Sequence, residues 1–129
     1  MEYTFGTSIP GNIADATDTV TAALAAEGFG VLSTIDVAAT LKAKIDVEID
    51  PYIILGACNP GLANAAIAAD AEVGALLPCN VVLRQEGGAV AVRVVDPAVL
   101  LGLVDADGVH EAGREAKAKL ARVVESLSS

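Results

Sequence analysis

The residue types that can do chemistry gather in two short runs, Cys58-Asn59-Pro60 and Pro78-Cys79-Asn80. A thiolate is a nucleophile and a soft metal ligand, so two thiols that meet can bind a metal, carry sulfur or react with oxidants. Cys58 stands directly before Asn59-Pro60, where Asn suits a helix N-cap and Pro the first helical position. Amide donors and the positive end of the dipole at that place favour a thiolate. Cys79 opens a strand next to Pro78, which sets it at one end of a sheet, near Cys58. The plainer reading is two small buried hydrophobes, the usual state of a free cysteine. Asn59 and Asn80 can orient a ligand by hydrogen bonding. As structure, Asn59 is the cap, which is the preferred reading, and Asn80 ties down a loop. Cys58, Asn59, Cys79 and Asn80 therefore form the candidate ligand site.

Other groups offer less. Structural zinc wants about four ligands. The chain has two cysteines and one histidine, His110, which falls on the distant C-terminal helix and reads as an exposed helix-start residue. Asp36 sits at a strand-to-helix turn, so it is an N-cap before it is a general base. Arg84 and Arg93 lie diagonally on the outer face of a hairpin. They are read as surface salt bridges, to Glu86 or a dimer partner, rather than as an anion clamp. Gly28 and Gly30 follow a helix and lack a third glycine, so they make no dinucleotide fingerprint. No Walker motif, nucleophile elbow or Ser-His-Asp set is present. No catalytic residue is assigned, the metal and cofactor stay open, and a binding protein is favoured over an enzyme.

Several elements must hold these residues. Tyr3, Phe5 and Thr7 alternate with Glu2, Thr4 and Gly6 as a first strand. After Pro10-Gly11-Asn12, with Asn12 as cap, Ile13, Ala16, Val20, Ala23 and Leu24 recur at helical spacing, and Gly28 ends the helix. Phe29, Val31, Ser33 and Ile35 alternate as a second strand. Val37, Leu41 and Ile45 then line one face of a short helix, and Tyr52 to Ala57 is a third strand. A helix from Asn59 to about Ala69 follows. Val81 to Glu86 and Ala89 to Val95 flank Gly87-Gly88, a two-residue hairpin turn that sets the register. It pairs Gln85 with Val90, Leu83 with Val92 and Val81 with Val94 on an apolar face that also takes Cys79. It pairs Glu86 with Ala89, Arg84 with Ala91 and Val82 with Arg93 on a mixed face. Ala98 to Gly108 reads as a link. Val109, Ala112, Ala116, Leu120, Val123 and Leu127 make the stripe of a long last helix.

The order is β-α-β-(short α)-β-(short α)-β-β-α, an α+β class with an antiparallel sheet and helices packed on one face. With 129 residues, 53% hydrophobic and 3% aromatic, residues 1–129 form one domain whose core is filled by Val, Leu, Ile and Ala. Eight basic against seventeen acidic residues give a net charge of −9, which opposes a nucleic-acid partner. Pro51 to Ala69 is uncharged and about long enough to span a bilayer, but Asn59-Pro60-Gly61 breaks it. Met1 to Pro10 has no signal-peptide pattern, so the cytoplasm is the expected compartment, with free thiols. An open sheet leaves two edges, and pairing of edges predicts a homodimer.

Gly28-Phe29-Gly30-Val31-Leu32, Gly56-Ala57-Cys58-Asn59-Pro60 and Leu76-Leu77-Pro78-Cys79-Asn80-Val81 together resemble domain of unknown function 302, a family of small prokaryotic proteins. Asp36, Pro51-Tyr52 and Asp96-Pro97 extend the likeness over nearly the whole chain. The resemblance implies a TATA-binding-protein-like fold and a dimer in which two sheets join. It implies no activity, and it carries no DNA binding with it.

Three functions follow as expectations. The first is a small dimeric binding module holding a small molecule, sulfur species or metal near Cys58 and Cys79. The second is a thiol redox protein or sensor using Cys58, weakened by the absence of a C-x-x-C motif. The third is a structural protein-interaction domain using the outer sheet face.

Overall fold

The computed structural model describes residues 2–128. Five strands form one antiparallel sheet: β1 (Thr4–Pro10), β2 (Gly30–Asp36), β3 (Tyr52–Cys58), β4 (Cys79–Glu86) and β5 (Ala89–Val95), in the spatial order β1-β5-β4-β3-β2. Five α-helices accompany them: α1 (Ile13–Ala26), α2 (Val37–Ile45), α3 (Pro60–Ala69), α4 (Pro97–Leu101) and α5 (Asp107–Leu127). The fold is the expected α+β class.

The hairpin has the register that its turn dictates. Gln85 pairs with Val90, Leu83 with Val92, Val81 with Val94, and Glu86, Arg84 and Val82 with Ala89, Ala91 and Arg93. Val81, Leu83, Val90, Val92 and Val94 are fully buried beneath the helices. They pack with Ala16, Val20 and Leu24 of α1 and Ala116, Leu120 and Val123 of α5 in the larger of two core clusters. The smaller cluster joins Ala66 of α3, Val73, Leu101 of α4 and Val109 and Ala112 of α5. Lys117 pins α5 in place, pairing with Asp96 and lying 4.5 Å from the centre of the Phe5 ring.

Side-chain caps start four of the helices. Asn12 accepts from the Asp15 amide, Asp36 from Ala39, Asn59 from Leu62, and Asp96 from Ala98 and Val99. Gly28 follows α1 at φ +83°, a conformation that costs other residues a steric clash.

Three expectations need correction. The segment Ala98 to Gly108 is no plain link, since α4 occupies its first part and packs on α5. A turn of 3₁₀ helix at Ala71–Leu76 was likewise not expected. The second strand does not alternate throughout. Its register shifts between Val31 and Ser33, with Leu32 as the extra residue. Val31 pairs with the buried Ala57, but Ser33 pairs with Gly56 and Ile35 with Ile54, which face the other way from Leu55 and Ala57. Phe29 and Val31 therefore join the core, while Leu32 and Ile35 stand 72% and 48% exposed.

Candidate functional site

β3 ends at Cys58, and Asn59 turns the chain directly into α3. Asn59 Oδ1 accepts from the Leu62 amide at 3.2 Å, so the cap role claims its acceptor. Its Nδ2 would lie 3.0 Å from a Cβ added to Gly28. A glycine at that position thus serves twice: it takes the left-handed turn after α1, and it leaves room for the amide that starts α3.

Cys79 opens β4 directly opposite Ala57, one residue before Cys58 on the neighbouring strand. This register brings the two cysteines together at one end of the sheet. Both are free; Cys58 is half-buried and Cys79 is 7% exposed. Burial pushes the Cys79 thiol up to about 11, and charge on Cys58 pushes it the same way. Cys79 is a thiol at neutral pH, not a thiolate.

Cys58, Asn59 and Cys79 line a cavity of about 30 Å³ whose remaining walls are hydrocarbon, among them Phe29, Leu62, Ala66, Leu101 and Ala112. The cavity sits where the two core clusters meet, between the sheet end, α3 and α5. Small side chains let those helices come close, and a Cβ on Gly108 of α5 would stand 2.9 Å from the Ala69 methyl of α3. Close packing keeps the void small.

Asn80 is not part of this cavity. It is exposed and lines a separate hollow of about 200 Å³ with Leu76, Leu77, Pro78, Val95 and Leu100. Strand alternation explains the separation, because the parity that turns Cys79 inward turns Asn80 outward. The structure thus brings together three of the four candidate residues.

The other titratable groups are structural. His110 is half-buried, not exposed, and its Nε2 contacts the Val104 carbonyl because the chain after α4 folds back on the start of α5. Asp36 is the cap of α2. Arg93 donates to the Thr4 carbonyl at 3.0 Å and so fastens β1. Arg84 lies 3.8 Å from Glu86. Among the described residues no group of three or more His, Cys, Asp and Glu is arranged to hold a metal ion. No described helix is long and apolar enough to cross a membrane.

Leu101 is one of the apolar lining residues that sequence reasoning did not assign to the site. A signal was present: Asp96-Pro97 repeats the cap-then-proline signature that marks α3 at Asn59-Pro60.

Comparison with known proteins agrees with the fold. No curated protein matches the chain. A crystal structure of an uncharacterized conserved DUF302 protein from Bacillus stearothermophilus superposes with a TM-score of 0.90 at 25% identity, covering 98% of this chain and 99% of that one. The family model of domain of unknown function DUF302 matches residues 5–127, and the chain belongs to that family.

Proposed function

We propose that the protein is a small dimeric binding module that takes its ligand at the Cys58–Cys79 end of the sheet. The observation that carries this reading is the shared cavity: Cys58 and Cys79, from neighbouring strands, both line one small space whose other walls are almost all hydrocarbon. Half-exposure of Cys58 supports access from outside. Support for a reducing compartment such as the cytoplasm comes from the two unpaired thiols. The net charge of −9 supports a ligand other than nucleic acid.

A second copy is the partner that this reading assigns to the β2 side. There β2 is the outermost strand of the sheet, and Leu32, Ile35, Ile45, Val47 and Ile49 are exposed between residues 32 and 49. An apolar cluster beside an unpaired strand edge is suited to burial against another chain. The same cluster favours a second reading, an interaction domain whose partner is a different protein.

Native mass spectrometry tests both parts on untagged protein purified without chelator or strong reductant. The expected result is a dimer carrying an added mass that Cys58→Ser or Cys79→Ser removes. A monomer of unmodified mass in all three preparations overturns the reading. Loss of two hydrogens per chain, restored by reductant, would instead favour a thiol redox protein using Cys58.

A further inference from the structure

At the opposite end of β3 from Cys58 lies another hollow, of about 270 Å³, lined by residues 49–52 and 84–86. Tyr52 pairs directly with Arg84, one step from the Ile53–Leu83 pair, whose Leu83 is buried in the core. Strand alternation therefore puts Tyr52, Arg84 and Glu86 together on the outer face. The Gln85 amide donates to the Pro51 carbonyl at 3.0 Å, so the pairing continues past Tyr52 and brings Asp50 to the same hollow. Gln85 Nε2 in turn donates to the carbonyls of Gly11, Gly87 and Ala89, which fixes the strand end that bears Arg84 and Glu86.

The fold makes little use of these polar groups. Arg84 stands 3.8 Å from Glu86, longer than a hydrogen bond. Among the described residues Asp50, Tyr52 and Glu86 take part in no side-chain hydrogen bond. One guanidinium, two carboxylates and a phenol thus share one space with their hydrogen-bonding capacity open. A cavity of ~150 Å³ takes a benzene ring, so this hollow has room for a molecule of about ten heavy atoms.

Charge then selects the occupant. A simple anion meets two carboxylates, on a chain of net charge −9. A simple cation leaves the Arg84 guanidinium facing a like charge. A zwitterion satisfies both signs. Its carboxylate suits the planar fork of Arg84, and its ammonium suits Asp50 and Glu86. One negative charge is left over, which favours a second cation on the ligand. The Tyr52 ring offers an apolar and cation-attracting wall for the remainder.

We propose that this hollow binds a free α-amino acid, a basic one such as lysine or arginine in preference, with the carboxylate on Arg84 and the α-ammonium on Asp50 and Glu86. The site uses neither cysteine and goes beyond the binding-module reading of the other sheet end.

The test is a titration of the full chain at low salt with L-lysine, L-arginine, L-leucine and L-glutamate, followed by calorimetry and by amide chemical shifts. Butylamine and Nα-acetyl-lysine are the controls, the first lacking the carboxylate and the second the α-ammonium. The expected result is one lysine or arginine per chain, leucine weaker and glutamate weakest, with shifts centred on residues 49–52 and 84–86. Arg84→Gln is expected to weaken lysine by about 10-fold or more, the loss of a charged hydrogen-bonding partner, and to abolish its advantage over butylamine. Asp50→Asn should reduce the preference for lysine over leucine. Circular dichroism verifies that these surface variants are folded. Butylamine or Nα-acetyl-lysine binding as well as lysine overturns the proposal, as does equal affinity in Arg84→Gln or no shift at these residues with millimolar ligand. Cys58→Ser should leave lysine binding unchanged. If lysine binds there while no cysteine-dependent mass is found, the thiol site falls and this one stands; the reverse result removes this site alone.

Discussion

Helices α2 and α3 begin alike and end in different worlds. Each follows a strand directly, each is started by a side-chain cap, Asp36 or Asn59, and each is short. Yet α3 buries Ala66 and packs along α5, whereas α2 buries nothing and meets only β3 to any extent. Side-chain size on the contacting face accounts for the difference. Leu62, Ala63 and Ala66 give α3 a low profile that fits against the small residues of α5. Val37, Leu41 and Ile45 give α2 a bulkier stripe, and among the described residues its main packing partner is β3 rather than another helix. Local capping decides that a helix starts; the surface it offers decides whether the chain itself covers it. The covered helix encloses the thiol cavity, and the uncovered one borders the exposed apolar cluster.

The largest expected effect separates these two regions by what they stabilise. Phe29 is buried in the main core and walls the thiol cavity. Phe29→Ala is expected to lower unfolding stability by about 3–5 kcal/mol, the range for a buried aromatic. Ile45 is 63% exposed on α2. Ile45→Ser should change the stability of the isolated chain by no more than about 0.5 kcal/mol and yet shift the proposed dimer towards monomer. Urea melts at low protein concentration, together with sedimentation over a concentration series, measure both. A large loss of monomer stability in Ile45→Ser would show that α2 belongs to the chain's own core after all.

Much of the thiol region was legible in the sequence, and much of the α2 region was not. Gly87-Gly88 sets a two-residue turn, and a turn of that length allows one register, so Cys79 could be assigned to the buried face from parity alone. Asn59-Pro60 likewise marked the start of α3. The bulge at Leu32 was hidden, because one extra residue in a strand leaves composition and turn signals unchanged while reversing every later side chain. The same kind of parity argument, applied to Asn80, would have removed it from the candidate site. The length of the segment after Asp96 concealed α4, whose five residues are too few to show a helical period. Half-burial of His110 depends on where that segment folds, which is a tertiary fact with no local signal.

A smaller effect belongs to the cavity alone. In the folded chain Cys79 keeps its proton to about 11, against an ordinary value of 9.0. Between those values the unfolded state binds fewer protons than the folded state, so stability falls as pH rises. The full contribution is present below pH 9 and is lost by the time pH passes 11, a decline of about 2–3 kcal/mol. Urea midpoints at pH 8, 9.5 and 11 should show the decline in wild type and lose this component in Cys79→Ala. Cys58→Ser should shrink it without removing it, since burial is the larger cause and the Cys58 charge the smaller. An unchanged decline in Cys79→Ala would mean that the cavity thiol is not its source.

The smallest effect compares the two caps themselves. Loss of an N-cap side chain costs about 0.5–2 kcal/mol. Asp36→Ala removes one bond, at 2.9 Å from the Ala39 amide, from a helix whose unfolding exposes little new surface. Asn59→Ala removes the bond to Leu62 and also empties the space beside Gly28, where α1 ends and α3 begins. Asn59→Ala is therefore expected near the upper end of that range and Asp36→Ala near the lower. Hydrogen exchange sharpens the contrast more than a global melt does. Fraying of α2 in Asp36→Ala should stay within α2, because little else rests on it. Fraying of α3 in Asn59→Ala should spread to Leu101 and the first turns of α5, which share its cluster, and should speed alkylation of Cys79. If exchange in Asn59→Ala remains confined to α3, the cavity walls open independently, and the thiols can be reached without disturbing the core.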